Sequence, residues 1–223
     1  MIGYKYCAAL DVGSERDRSA LSVIARREVY DQRQPAPKEQ NSPQNVISSY
    51  DLVFLHRFDL KTPYHVIREK CVEVLSHGNL IGNSHFVVDA TGVGNPVVKA
   101  VLYDLAPISI IITSGHHPTP KEDGGYSVPK RDLVTTMQSV FQTGRIRIAK
   151  NLEFLEQLQK EVLGFKMKSR DGRQFGAETE STHDDLVMSL AIGLWYMERL
   201  YGYSMAAEDL LEQIPYDPFE SYS

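Results

Sequence analysis

At 223 residues, 42% hydrophobic and 24% charged, with 15 glycines and 11 prolines, the chain has the profile of a packed globular protein, which excludes disordered, collagen-like and repeat classes. The formal net charge of −5 does not announce a polyanionic partner. No run of about 18 apolar residues occurs and the N-terminus lacks the long apolar stretch of a signal peptide, so a cytosolic chain without a membrane span is expected.

Tyr4 to Val12 is an apolar and aromatic run that stops at Gly13 and reads as a strand. Residues 18–29 alternate and read as its antiparallel neighbour across the turn GSERD. A polar insertion is expected over 28–49, with three prolines and a loop over 31–49, and residues 50–60 supply a third strand. Thr62 and Pro63 are placed to cap and open an amphipathic helix that stops at Gly78. HFVVDATGVGNP then predicts a short strand ending at Asp89, a glycine-rich turn and a helix from about Pro96 to Leu105. ISIIIT, 108–113, predicts a fully buried strand, and 114–128 a loop punctuated by Gly and Pro.

Pro129 opens a helix to about Thr143, Gly144 ends it, and RIRIA predicts a short strand. A helix over about 151–163 follows, then a basic hairpin turning at Asp171 and Gly172, and a last helix from about Thr182 to Leu200. Cys7 and Cys71 sit in apolar-periodic segments without CxxC spacing, which favours buried, reduced thiols. The segment from Gly144 to Arg173 holds eight basic and four acidic residues. That local excess suits a phosphate-facing patch, although a solvated helix face is the simpler account of charge alone. The expected architecture is α/β: a central mixed sheet of five or more strands, an antiparallel three-strand meander plus parallel strands, flanked by helices on both faces. One domain, 1–200, and a tail, 201–223, are expected.

Asp11 and Asp89 each end a strand, and in open α/β sheets sites form beyond the carboxyl ends of strands. Each alone could simply cap a turn. A third acid comes from HDDLVMSLAIGLWYM, in which Asp184 and Asp185 open an apolar helix. Acids in a first helical turn suit the helix dipole. Successive helical residues point about 100° apart, however, so one of this pair must face the sheet. Three carboxylates without clustered His or Cys suit Mg²⁺ or Mn²⁺, and two ions about 4 Å apart can drive phosphodiester hydrolysis.

With VVDATGVGNPV on the fourth strand, VPKRDLVTTMQSVFQTGRIRI, LEQLQKEVLGFKMK and FGAETESTHDDLVMSLAIGLW, the chain resembles the nuclease domain of phage terminase large subunits over about residues 4–200. The resemblance implies an RNase H-like (RuvC-like) fold and a two-metal endonuclease cutting concatemeric double-stranded DNA during genome packaging in the host cytoplasm. It implies Asp11, Asp89 and Asp185 as catalytic metal ligands. Asp184 is a second candidate in its pair, Asp17 an accessory ligand, and His183 a residue orienting water or phosphate. Lys130, Arg131, Arg145, Arg147, Lys166, Lys168, Arg170 and Arg173 become candidate DNA contacts. A packaging ATPase domain, the small terminase subunit and the portal are the implied partners. No GxxxxGK[ST] motif is present, so motor activity is not expected of this chain. Two alternatives remain open: a kinase- or actin-like phosphotransferase, from the likeness of LDVGSERDRSAL to a phosphate loop, and a non-catalytic DNA-binding packaging module.

Overall fold

A computed structural model describes residues 4–30, 46–167, 175–177 and 184–201. Strands β1 (Tyr4–Asp11), β2 (Ala20–Tyr30) and β3 (Val46–Arg57) form the expected antiparallel meander. β3 starts inside the stretch expected to be loop, because the eleven residues of β2 give Val46 to Ser49 a ladder to pair with. The β2–β3 register shifts between Val23, opposite Phe54, and Ile24, opposite Leu52, leaving Val53 as the extra residue of a bulge.

Helix α1 (Tyr64–Leu75) is capped by Pro63, not opened by it. Thr62 instead donates its hydroxyl to the Asp59 carbonyl, 2.7 Å away, and closes the preceding turn. Strand β4 (Ser84–Asp89) leads to α2 (Gly94–Ala100), which is shorter than expected; a separate 3-10 turn covers Tyr103–Leu105. Gly94 fixes this geometry, since a Cβ there would lie 2.1 Å from the Asp89 carbonyl oxygen. The chain must therefore fold back closely over the strand end. β5 (Ile108–Thr113) is only half-buried apart from Ile110, because what lies beyond it is not a full-length strand. The neighbours there are β7 (Tyr126–Pro129), parallel to β5, and the two-residue β6 (Thr119–Pro120), within the segment expected as loop.

α3 (Lys130–Gln142) follows β7 directly, with Pro129 as its cap, and β8 (Ile146–Ile148) then pairs parallel with β3. After α4 (Leu155–Gly164), β9 (Phe165–Met167) and β10 (Phe175–Ala177) pair antiparallel, where the basic hairpin was expected. The turn of that hairpin lies outside the described residues, as do Thr182 and the tail from 202.

The sheet order is β6-β7-β5-β4-β1-β2-β3-β8. One face packs against α5 (Asp185–Tyr201) with α3 and α4, and the other against α1 and α2. Cys7 and Cys71 are free thiols, one in each core layer. From Asp185 to Met197 every residue of α5 is buried. The helix lies close on β1 and β2 because Gly193 faces Ala9 and Ile24; an added Cβ would meet them at 3.1 and 2.7 Å. No helix among the described residues is long and apolar enough to cross a membrane.

Candidate active site

All strands of the eight-stranded sheet except β2 and β6 run in one direction, so β7, β4, β1 and β3 finish at the same edge of the sheet. Leu10 is level with Val88, which sets Asp11 beside Asp89 one residue further on. The same row continues through Ala20 to Arg57. Side chains alternate along a strand, so Asp11 and Asp89 share the face of Ala9 and Val87, the face that α5 covers. β7 delivers Lys130 to that edge, and α5 begins there.

Asp89 is 8% exposed and accepts the Thr91 N–H at 2.7 Å, an Asx-type turn that fixes its carboxylate. Its proton affinity is raised by burial, against the lowering effect of Thr91, a hydrogen bond with Asp11 and the charge of Lys130. Asp11 is pushed well above the ordinary carboxylate range, first by burial and then by the charges of Asp89, Asp184 and Asp185, with Lys130 opposing. Both shifts run the same way, towards the uncharged carboxyl.

At the start of α5 the two adjacent acids part company. The Asp184 carbonyl accepts the Met188 N–H, which makes it the cap position, and its carboxylate accepts from Lys130 Nζ at 3.0 Å. Asp185, 4% exposed, accepts two bonds from the Arg57 guanidinium, at 2.7 Å from Nε and 3.2 Å from Nη2. Glu161 of α4 completes this corner: its Oε2 accepts the Leu186 and Val187 N–H groups at 3.0 and 3.1 Å, and its Oε1 lies 3.4 Å from Arg57. Burial, then the charge of Asp185, pushes the Glu161 carboxyl up to about 8. Of the pair, Asp185 is the buried member. It faces Arg57 and Glu161, while Asp184 shares the lysine that also acts on Asp11 and Asp89.

The donor set is chemically suited to a hard divalent cation, since every candidate is a carboxylate and, after burial, the charges of Asp89, Asp184 and Asp185 all act on Asp11. Among the described residues no group of three or more His, Cys, Asp or Glu is arranged to hold an ion. Asp184 and Asp185 are engaged by the lysine and the arginine instead.

The remaining candidates separate by burial. Asp17 stays in the exposed β1–β2 loop, where it accepts from the Ser14 hydroxyl at 2.9 Å. Arg145, expected at a DNA surface, is a structural residue: 4% exposed, its guanidinium lies over Tyr50 and bonds Glu198 at 2.8 and 3.3 Å. Arg147 is 42% exposed while bonded to both oxygens of Asp51, and Arg131 is half exposed, donating to the His116 carbonyl at 3.1 Å. Lys166 lies on β9; Lys168, Arg170, Arg173 and His183 lie outside the described residues.

Arg57 and Glu161 are functional candidates that sequence reading missed. The signal for Glu161 was its place three residues after the buried Leu158 on the core stripe of α4. For Arg57 it was its place two residues after the buried Leu55, on the same strand face.

No protein-family model matches the sequence, and no curated protein matches it. Solved structures are similar, two of them phage terminase nucleases. The g2p (large terminase) nuclease domain of bacteriophage SPP1, a structure with bound Mn, is 10% identical, with a TM-score of 0.48 over 86% of each chain. The large terminase nuclease of thermophilic phage G20c is 17% identical, with a TM-score of 0.53 over 85% of this chain and 81% of that one. At such identity the likeness is one of fold, and this chain has a mixed α/β architecture similar to that RNase H-like terminase nuclease.

Proposed function

We propose that the protein is a metal-dependent endonuclease that cuts double-stranded phage DNA with little sequence preference during genome packaging. One observation carries the reading: Asp11, Asp89, Asp184 and Asp185 gather at the carboxyl edge of the sheet closely enough for the last three to raise the proton affinity of Asp11. The fold shared with the G20c nuclease supports it. The kinase-like alternative differs in its readout, since it calls for ATP hydrolysis without DNA cutting.

In this reading Asp11, on which the charges of Asp89, Asp184 and Asp185 all act, is the central ligand, and Asp89 with the helix acids would complete the site. Asp185, held by Arg57, is the catalytic ligand of the helix pair that the resemblance implies, and Asp184 is the second candidate. Mg²⁺ or Mn²⁺ ions, two in the fullest form of the mechanism, would supply an activated water and stabilise the leaving oxygen. The protein's own part is to hold the acids rigidly, through Thr91 at Asp89 and Glu161 at α5, and to exclude water behind them. Lys130, Arg131 and Arg147 are the proposed contacts to the DNA backbone, with Lys166 of β9 and, outside the described residues, Lys168, Arg170, Arg173 and His183 as further candidates. The partners fitting this role are a packaging ATPase domain, a small terminase subunit and a portal.

The test is incubation with supercoiled plasmid in Mn²⁺ and in Mg²⁺. Nicked and linear products are expected from the wild type and none from Asp11→Asn; intact plasmid in both metals at saturating protein, or an active variant, overturns the reading.

A further inference from the structure

Lys130 sits where a metal-binding cluster would least be expected to tolerate it. It is the first residue of α3, fixed by Pro129 and the β5–β7 pairing, and its Nζ lies 3.0 Å from Asp184. Its charge also favours the ionised forms of Asp11 and Asp89. A single ammonium thus serves three carboxylates that would otherwise repel one another. Arg57, across the site, differs in kind. Its fork binds Asp185 with both oxygens engaged and is 13% exposed, whereas the lysine meets Asp184 through one ammonium and is 30% exposed. A lysine is a point charge on a flexible stem, so it can leave its partner without disturbing the backbone; a buried arginine fork cannot.

We propose that Lys130 is the built-in counter-ion of the metal-free cluster, and that a divalent cation binds by displacing its ammonium from Asp184. The proposal rests on reading the cluster as a divalent-cation site. Two effects follow. Lys130 holds Asp184 in place before a cation arrives, and it lowers the cluster's affinity for that cation, because like charges must share the site or one must move. The displaced ammonium stays tethered at the rim, within reach of a phosphate, so cation binding would expose a DNA contact that the metal-free protein keeps engaged.

The experiment is calorimetric titration of Mn²⁺ into the wild type, Lys130→Met, Lys99→Met and Asp11→Asn, with melting temperatures measured with and without Mn²⁺. Lys99 is an exposed lysine of α2 and controls for general loss of positive charge. Lys130→Met is expected to bind Mn²⁺ about tenfold tighter or more, on the order of one unit of charge felt at contact distance. Lys99→Met is expected to stay within about twofold, since its charge is exposed to solvent and is not among those acting on Asp11 or Asp89. Without Mn²⁺, Lys130→Met should melt below the wild type, and saturating Mn²⁺ should close the gap. Equal or weaker Mn²⁺ binding by Lys130→Met, or an equal gain in Lys99→Met, overturns the counter-ion proposal. If Asp11→Asn abolishes binding while Lys130→Met leaves it unchanged, the metal site stands and the counter-ion falls. If the wild type binds no Mn²⁺, both fall.

Discussion

Glu161 offers the sharpest test of the electrostatics beneath the site. The carboxyl is 5% exposed, wedged between the first N–H groups of α5 and Arg57, and its affinity for a proton is raised from 4.5 to about 8. Each unit is worth ~1.4 kcal/mol, so ionising Glu161 in the fold instead of in the unfolded chain costs roughly 3–5 kcal/mol. The fold holds this proton more tightly than the unfolded chain does. Its contribution to stability is therefore greatest below pH 4.5 and is lost as pH rises to about 8. Glu161→Gln keeps an oxygen for the Leu186 and Val187 N–H groups and removes the ionisation. Urea unfolding of both proteins at pH 5, 6.5, 8 and 9 should show the stability difference moving in the variant's favour by roughly 3–5 kcal/mol from pH 5 to 8, then levelling. The subtraction cancels most other titrating groups. A difference that is flat with pH, or moves the other way, refutes the view that burial dominates over Arg57 at this carboxyl.

Gly193→Ala would place a Cβ 2.7 Å from the tip of Ile24 and 3.1 Å from the Cβ of Ala9. Ile24 can yield but Ala9 cannot, so a loss of about 1–2 kcal/mol in chemical denaturation is expected despite alanine's better helix propensity; an equal or higher midpoint would show that α5 is free to shift. Asp185→Asn should cost about 2–4 kcal/mol, because it removes the charge that pairs with two nitrogens of the part-buried Arg57 guanidinium. Asp184→Asn should cost under about 1 kcal/mol, since that ion pair is about one-third exposed on each side. On Mn²⁺ titration the order should invert, with Asp184→Asn losing more affinity; the same ranking in both measurements would remove Asp184 from the ligand set.

The meander, the strand ending at Asp89 and the long apolar helix were legible because each carries its signal locally, in alternation, a glycine turn or an apolar run. β7 was not, because YSVP is four residues long and becomes a strand only through β5 beside it. The same limit governed the site. Asp11 and Asp89 stood out as acids at strand ends, a position visible in one dimension. Arg57 and Glu161 come together from β3 and α4, 104 residues apart in sequence, and nothing near either predicts the other. Arg145 misled for the converse reason: in a basic stretch it reads as surface charge, and only Glu198, on the far turn of α5, shows it to be part of the core.

The sheet order explains why two acids stand side by side at the mouth of α5. β4 and β1, carrying Asp89 and Asp11, lie in the middle, with β7 two places beyond β4 on one side and β3 two places beyond β1 on the other. Lys130 arrives from the β7 side and Arg57 from the β3 side, so the helix start is bracketed by one cation on each flank. Neighbouring residues on a helix diverge by about 100°, and a single aspartate could answer only one flank. Two successive aspartates answer both: Asp185 turns to the arginine and fixes the helix, and Asp184 turns to the lysine and joins the carboxylates of the central strands. The pairing that looks repulsive in sequence is neutralised from opposite sides, and the exchangeable cation is on the side where the chemistry is proposed to occur.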